Sequence, residues 1–315
     1  MLRLDKTELG LLAIALLLLA GGAVLPDWLT FLLTIALGKA LAVQGVVMQM
    51  RAGLVSFGQG LFYCVGGYAV GMGGLMLGIK DAFVLLALGV VVAVVLAGVL
   101  GLLLTRYRDI FFAMLSLAFS MILFGVLVKS AALGSSDGFN VVSLTFLGWA
   151  PTGNAQRLTV FGLTVLVALI VALLLHRYFR APIGYVCEAI RENEVRVEYL
   201  GLSSRGVLHA NYVFAAAVTA LGGGLTAFAT GHIDPEMAFW TTSGEFVFIA
   251  LLGGTSHVAA PFLAAILFSV IRTYAIQFTP HTWQMILGVV LLAIILFLPK
   301  GLWSLFQRRK PGVSA

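Results

Sequence analysis

Apolar runs of roughly membrane-spanning length follow one another along this chain, at about residues 11–25, 29–50, 54–77, 83–105, 110–128, 158–175, 207–229, 246–254, 258–278 and 283–298. A helix needs about 20 apolar residues to cross a bilayer. The pattern therefore predicts an all-α, polytopic membrane protein of about ten segments, with residues 1–315 forming one transmembrane domain. The run at 246–254 is too short to span as an ordinary helix. It is expected to be a half-helix or a tilted piece, and any non-helical backbone beside it must be buried in protein or line a cavity. Residues are 61% hydrophobic and 10% charged, against about 25% charged in soluble domains, so no sizeable soluble domain fits. The first residues, MLRLDKTELGLLAIALLLLAGG, have the basic head and apolar body of a secretory signal. Their apolar part nearly reaches spanning length and no A-x-A cleavage site follows, so a retained first helix is expected.

The net charge of +6 would suggest nucleic acid in a soluble protein, but here the basic residues sit at the ends of apolar runs, where they orient helices. With the N-terminus inside and ten crossings, Arg3, Lys6, Arg51, Arg106, Arg108, Arg177, Arg180, Arg191, Arg196, Arg205, Lys300, Arg308, Arg309 and Lys310 fall on the inner side. Only Lys80, Lys129 and Arg157 fall outside. That asymmetry predicts cytoplasmic termini and a longest outer loop at about 129–157, with no large external binding domain.

Charge is dense in one place, APIGYVCEAIRENEVRVEYLGLSSR at 181–205. Val186, Ile190, Val197 and Leu200 recur at helical spacing, giving one apolar face. Glu188 and Arg191, and Glu192 and Arg196, are spaced for ion pairs along a helix surface. Pro182 suits a first turn and Gly201 a stop. A charge at the bilayer centre costs about 2.5–3.5 kcal/mol or more, so this amphipathic helix, at about 183–200, must lie in water on the inner side.

Glycines cluster at 53–78, with Gly67 and Gly71, and Gly74 and Gly78, at small-xxx-small spacing, and again at Gly222, Gly223, Gly224, Gly231, Gly244, Gly253 and Gly254. Two readings stand side by side. Such residues let helices approach closely, and Gly-interrupted stretches in two halves of a chain mark the substrate path of inverted-repeat transporters. There is no G-x-x-x-x-G-K-[ST] phosphate loop. His176, His209, His232, His257 and His281 stand singly, and Cys64 and Cys187 offer neither metal-ligand spacing nor an expected disulfide. Enzyme chemistry on this chain is not expected.

The segment IGYVCEAIRENEVRVEYLGL resembles the cytoplasmic loop of permease subunits of branched-chain amino acid ABC importers, the M-type subunit in particular. The likeness continues in GLVSFGQGLFYCVGGYAV, SSDGF, TTSGEFVFIALLGGTSHVAAPFLAAILF and LFLPKGLW, and covers most of the chain from Leu29 onward. It implies a bacterial inner-membrane protein paired with a second homologous permease, two cytoplasmic ATPase subunits and a periplasmic substrate-binding protein. ATP and Mg2+ would then act on the partner subunits, with no cofactor here and no nucleic acid. The helix at 183–200 would be the coupling helix, with Tyr185, Glu188, Arg191, Glu192, Glu194, Arg196 and Gly201 engaged in ATPase coupling. The chain departs from the family pattern at Gln59, where many relatives carry histidine, at Arg51, more often aromatic, and at Ala260 and Ala264, frequently glycine. Pocket chemistry is expected to differ accordingly.

Candidate path residues are Ser56, Gln59 and Tyr63 in the first half and Trp240, Thr241, Ser243 and Glu245 in the second, polar groups beside expected helix breaks. Helix–helix hydrogen bonding accounts for the same residues equally well. Lys39 lies near the middle of the second run. Either it guides a substrate carboxylate, since intramembrane charge faces a cavity or partner, or it snorkels or pairs with a neighbour. Two other functions remain open: the same architecture importing another small carboxylate, an amide or urea, and an ion-coupled secondary transporter. The second would need more deep carboxylates than Glu245.

Overall fold

A computed structural model describes residues 5–22, 24–278, 282–297 and 301–305. Arg3, Lys300, Arg308, Arg309 and Lys310, used above for orientation, and His281 lie outside the described residues. The helices are α1 (Lys6–Gly21), α2 (Asp27–Arg51), α3 (Gln59–Leu77), α4 (Ala82–Leu104), α5 (Asp109–Lys129), α6 (Asn154–Arg180), α7 (Pro182–Tyr199), α8 (Ser204–Thr230), α9 (Trp240–Gly253), α10 (Ala260–Phe278) and α11 (Trp283–Phe297). Among the described residues seven helices, α2 to α6, α8 and α10, are long and apolar enough to cross a membrane. At 16, 14 and 15 residues, α1, α9 and α11 are shorter. The protein is all-α and polytopic; its one described sheet pairs β1 (Phe139–Asn140) antiparallel with β2 (His232–Ile233). Cys64 and Cys187 are unbridged.

Helix α8 is the post around which α2, α3 and α4 pack. Glycine makes this possible, since a Cβ at Gly222 would overlap the Gly38 carbonyl and one at Gly223 the Tyr63 carbonyl. With lipid as apolar as the side chains, such close backbone approach supplies the dispersion and polar contacts that hold membrane helices together. The spacing read from sequence points elsewhere. On α3 it is Gly66 that meets Ala220 of α8, whereas Gly71 makes room for the Phe139 ring and Gly78 (φ +66°) ends the helix in open space. By contrast α4 and α5 are mostly exposed, with Val95, Val99, Met114 and Ile122 facing outward as a lipid-facing surface would.

Ion pairs sort the helix ends. At one end of the bundle Arg177 and Arg180 of α6 pair with Glu8 and Asp5 at the start of α1, Arg51 at the end of α2 pairs with Glu188, and Arg108 at the start of α5 pairs with Glu194. The opposite end holds the Arg157–Asp27 pair, the β1–β2 pairing and Asp81, which caps α4 and accepts from the Leu147 amide at 2.8 Å. Helix α7 therefore lies at the arginine-rich end.

Two helices begin inside the bundle. The run read as helical from residue 54 starts its helix only at Gln59, because Gly53 (φ +79°) turns the chain and residues 54–58 are irregular. Leu54 and Ser56, each 1% exposed, are covered by protein, whereas Val55 is 38% exposed. Three of their amides have partners: Leu54 donates to the Gln49 carbonyl at 2.9 Å, Phe57 to Ser116 Oγ at 3.2 Å and Gly58 to Ser56 Oγ at 3.2 Å. After α8 the chain likewise turns back inward through the β2 pairing. The Ala238 carbonyl accepts from Ser120 of α5 at 2.7 Å before α9 starts. At about 1.5 Å per residue α9, of 14 residues, is about 21 Å long, shorter than the roughly 30 Å of a bilayer's hydrocarbon core.

Candidate functional site

The first region is α7. Pro182 occupies its first turn and Gly201, at φ +82°, follows its C-cap, a backbone state that favours glycine. It is not one continuous helix, because Asn193 leaves helical geometry (φ −160°, ψ 96°) and its Oδ1 accepts from the Arg196 amide at 3.0 Å, capping a second short helical piece. An internal N-cap of this kind is what an asparagine offers.

The charges on α7 divide between two directions. Glu188 pairs with Arg51 instead of Arg191, and Glu194 takes a forked pair of hydrogen bonds from Arg108, at 2.8 Å to Oε2 and 2.6 Å to Oε1. That guanidinium holds the Glu194 carboxyl below its usual range, against the opposing effect of partial burial. Glu198 accepts from Ser204 at the start of α8. Val197, Ile190 and Cys187 are buried toward the membrane helices, while Tyr185 (60%), Val195 (59%), Tyr199 (87%) and Leu200 (76%) are exposed beside Arg191, Glu192 and Arg196. The helix thus presents an amphipathic outer surface, apolar groups within mixed charge, of the composition that protein interfaces use. Arg191 packs on the chain turn at Gly53, where an added Cβ would come within 3.3 Å of its side chain.

The second region is where α3 and α9 start. The Gly60 amide, left over at the first turn of α3, donates to Ser243 Oγ of α9 at 3.0 Å. Gln59, fully buried, accepts from Thr219 of α8 at 2.8 Å through Oε1, and its Nε2 has no hydrogen-bond partner among the described residues. Ser56 accepts from the Gly58 amide at 3.2 Å, Tyr63 donates to Thr226 at 2.7 Å, and the Tyr63 ring meets Phe246 edge-on at 5.0 Å. Gln59, Tyr63 and Ser243 are thereby gathered at one buried junction of α3, α8 and α9, while Ser56, also buried, lies in the irregular stretch before α3. Trp240 and Thr241 are not part of it; they lie on the exposed side of the α9 start.

Lys39 and Glu245 meet at 2.5 Å, with side chains 12% and 16% exposed, and Arg272 of α10 approaches the other Glu245 oxygen at 3.4 Å. Lys39 is thus paired across helices with Glu245. Sequence reading missed the partners that complete these sites. Arg108 and Arg51 entered only as orientation charges or as a departure from pattern, although basic residues flanking an acidic helix are its natural counterions. Thr219 and Thr226 gave a signal too, as hydroxyls in a glycine-rich membrane helix.

A multi-helix membrane protein with a polar helix fastened at its arginine-rich end, and two helices starting inside the bundle, has the architecture of a membrane transport subunit. Residues 28–295 match the family model for the permease component of branched-chain amino acid transport systems, and the chain belongs to that family. It is 27% identical over 273 residues to the high-affinity branched-chain amino acid transport system permease protein LivM of Escherichia coli K12, covering 80% of this chain and 64% of that protein. The LivM protein of Salmonella typhimurium matches with the same identity and coverage. The LivH permease protein of Escherichia coli K12 is 24% identical over 287 residues, covering 85% of this chain and 89% of its own length. No solved structure matches.

Proposed function

We infer that this chain is one transmembrane permease of an ATP-binding-cassette importer that carries branched-chain or related amino acids delivered by a periplasmic binding protein. The observation that carries this reading is α7: a polar helix at the arginine-rich end, pinned inward by Arg51 and Arg108 and presenting Tyr185, Tyr199 and Leu200 outward. On this reading the helix is the contact for a separate ATPase, with Tyr185, Arg191, Glu192, Arg196 and Gly201 on or beside the docking surface. Glu188 and Glu194 fix the helix to the bundle. Hydrolysis of ATP with Mg2+ belongs to two partner ATPase subunits. The likeness to both LivM and LivH proteins supports pairing with a second, related permease.

On this reading the whole chain is one membrane domain in the bacterial inner membrane. Ten segments cross or re-enter, with α9 and the irregular stretch before it acting as one, and the arginine-rich end and both termini are cytoplasmic. The matching interior starts of α3 and α9 are the vestige of an inverted repeat. Ser56, Gln59, Tyr63 and Ser243 border the substrate path, and Trp240 and Thr241 face it from the partner side. Lys39, Glu245 and Arg272 carry a net positive charge toward a substrate carboxylate. Co-reconstitution of this permease with its partner permease, ATPases and binding protein in liposomes tests the proposal. ATP-dependent uptake of leucine, isoleucine or valine is expected, and uptake by this chain without ATPase would reject it.

A further inference from the structure

Arg51 is the residue in which the two regions of the protein meet. It ends α2, and its side chain is mostly buried, 16% exposed. One guanidinium nitrogen, Nη2, pairs with Glu188 of α7, and the other, Nη1, donates to the Thr255 carbonyl in the turn after α9 at 3.1 Å. The guanidinium carbon lies 4.2 Å from the centroid of the Phe179 ring at the end of α6, a stacking geometry in which arginine is favoured over lysine. A single planar fork therefore joins the ends of α2, α6 and α9 to the first half of α7.

Glu188 makes no other described ion pair, and α9 is tied to α2 farther up through Lys39–Glu245. The Val258 carbonyl, just past the Thr255 turn, accepts from Gln44 of α2 at 2.5 Å. The segment from α9 to the start of α10 is thus fastened along α2, and α7 is fastened to the end of the same assembly by Arg51. At the far end of α9, Ser243 caps the start of α3. Among the contacts of α7, Arg51 is the side chain that ties it directly to the turn after α9.

The geometry points to Arg51 as a positioning residue for transport: its fork transmits movement of α7 to the short helix α9, and through α9 to the α3–α9 junction. This rests on α7 being the ATPase contact. The Arg51–Glu188 pair alone would make α7 stable, whereas the Thr255 branch makes it a lever on α9. Both branches are needed for coupling.

The test uses the complete complex in liposomes, reading basal ATP hydrolysis, stimulation by loaded binding protein and substrate moved per ATP. Arg51→Met is expected to leave basal hydrolysis near wild type and to reduce substrate moved per ATP by about fivefold or more, the low end of coupling between distant sites. Glu188→Gln should reduce substrate moved per ATP to a similar extent. Arg51→Lys, whose single ammonium cannot serve both branches, should stay folded with an intermediate loss. The exchanged pair Arg51→Glu with Glu188→Arg restores attraction between α2 and α7 without the guanidinium of α2 on Thr255, and should not recover coupling. Recovery by the exchange, or wild-type coupling in Arg51→Lys together with Glu188→Gln, would overturn the inference. If Arg51→Met does not assemble, Arg51→Lys and Glu188→Gln decide. A wild-type complex that shows no ATP-driven uptake would instead refute the importer reading itself.

Discussion

Replacing Glu245 by glutamine removes the one carboxylate shared by Lys39 and Arg272 while keeping the side chain's size. Lys39 and Glu245 lie 2.5 Å apart with only 12% and 16% of their side chains exposed, so neither charge has much water to fall back on. Breaking a buried pair from one side costs about 3–5 kcal/mol, because the remaining charge stays desolvated. Lys39→Met leaves Glu245 with Arg272 at 3.4 Å, so its cost is expected near the scale of a hydrogen bond to a charged group, about 1.5–3 kcal/mol. The double variant removes both halves and should cost less than the two single effects summed. Reversible unfolding of the purified chain in mixed micelles, followed by circular dichroism, measures all three. If the two single variants cost the same and the double variant is their sum, the pair is not coupled and the reasoning fails.

Further outcomes follow from the same contacts. Gly223→Val places a side chain against the Tyr63 carbonyl; overpacking of this kind costs about 1–3 kcal/mol or more, and size-exclusion thermostability should fall, while Gly244→Ala, with open space around it, should change little. Asn193→Ala removes the internal cap, at a cost of about 1 kcal/mol, and should speed hydrogen exchange in the second piece of α7 but not in the first. Because Arg108 lowers the Glu194 carboxyl in the folded state, the attachment of α7 contributes fully above the ordinary glutamate range near pH 4.3. That contribution is lost as pH falls through the lowered value. Glu194→Gln should flatten this acid-side loss, read as protease access to α7 between pH 5 and 3 in steps of about one pH unit.

Much of this architecture was legible because membrane burial imposes long apolar runs, and because charge cannot be hidden in them. The α7 boundaries, the shortness of α9 and the Gly201 stop all follow from such local rules. The non-helical start before Gln59 was not legible, since residues 54–58 are as apolar as a helix interior and only the φ of Gly53 turns the chain. Nor were the partners of the α7 carboxylates. Helical spacing pairs Glu188 with Arg191, yet Arg51, 137 residues away, reaches it first. The break at Asn193 was hidden for a related reason, because an asparagine in the middle of an amphipathic pattern signals a cap only once its own backbone has left the helix. For the candidate path residues, spacing near helix breaks separated polar from apolar positions but not sides, so Trp240 and Thr241 were grouped with buried residues from which the start of α9 directs them away.

The account turns on which protein covers the exposed face of α7. A photoreactive phenylalanine analogue in place of Tyr199, 87% exposed, can be illuminated in inner-membrane vesicles carrying the full system. The account predicts cross-linking to the ATPase subunit. Cross-linking to the substrate-binding protein, or labelling of a cysteine at the same position by a membrane-impermeant reagent added from the periplasmic side, would contradict it.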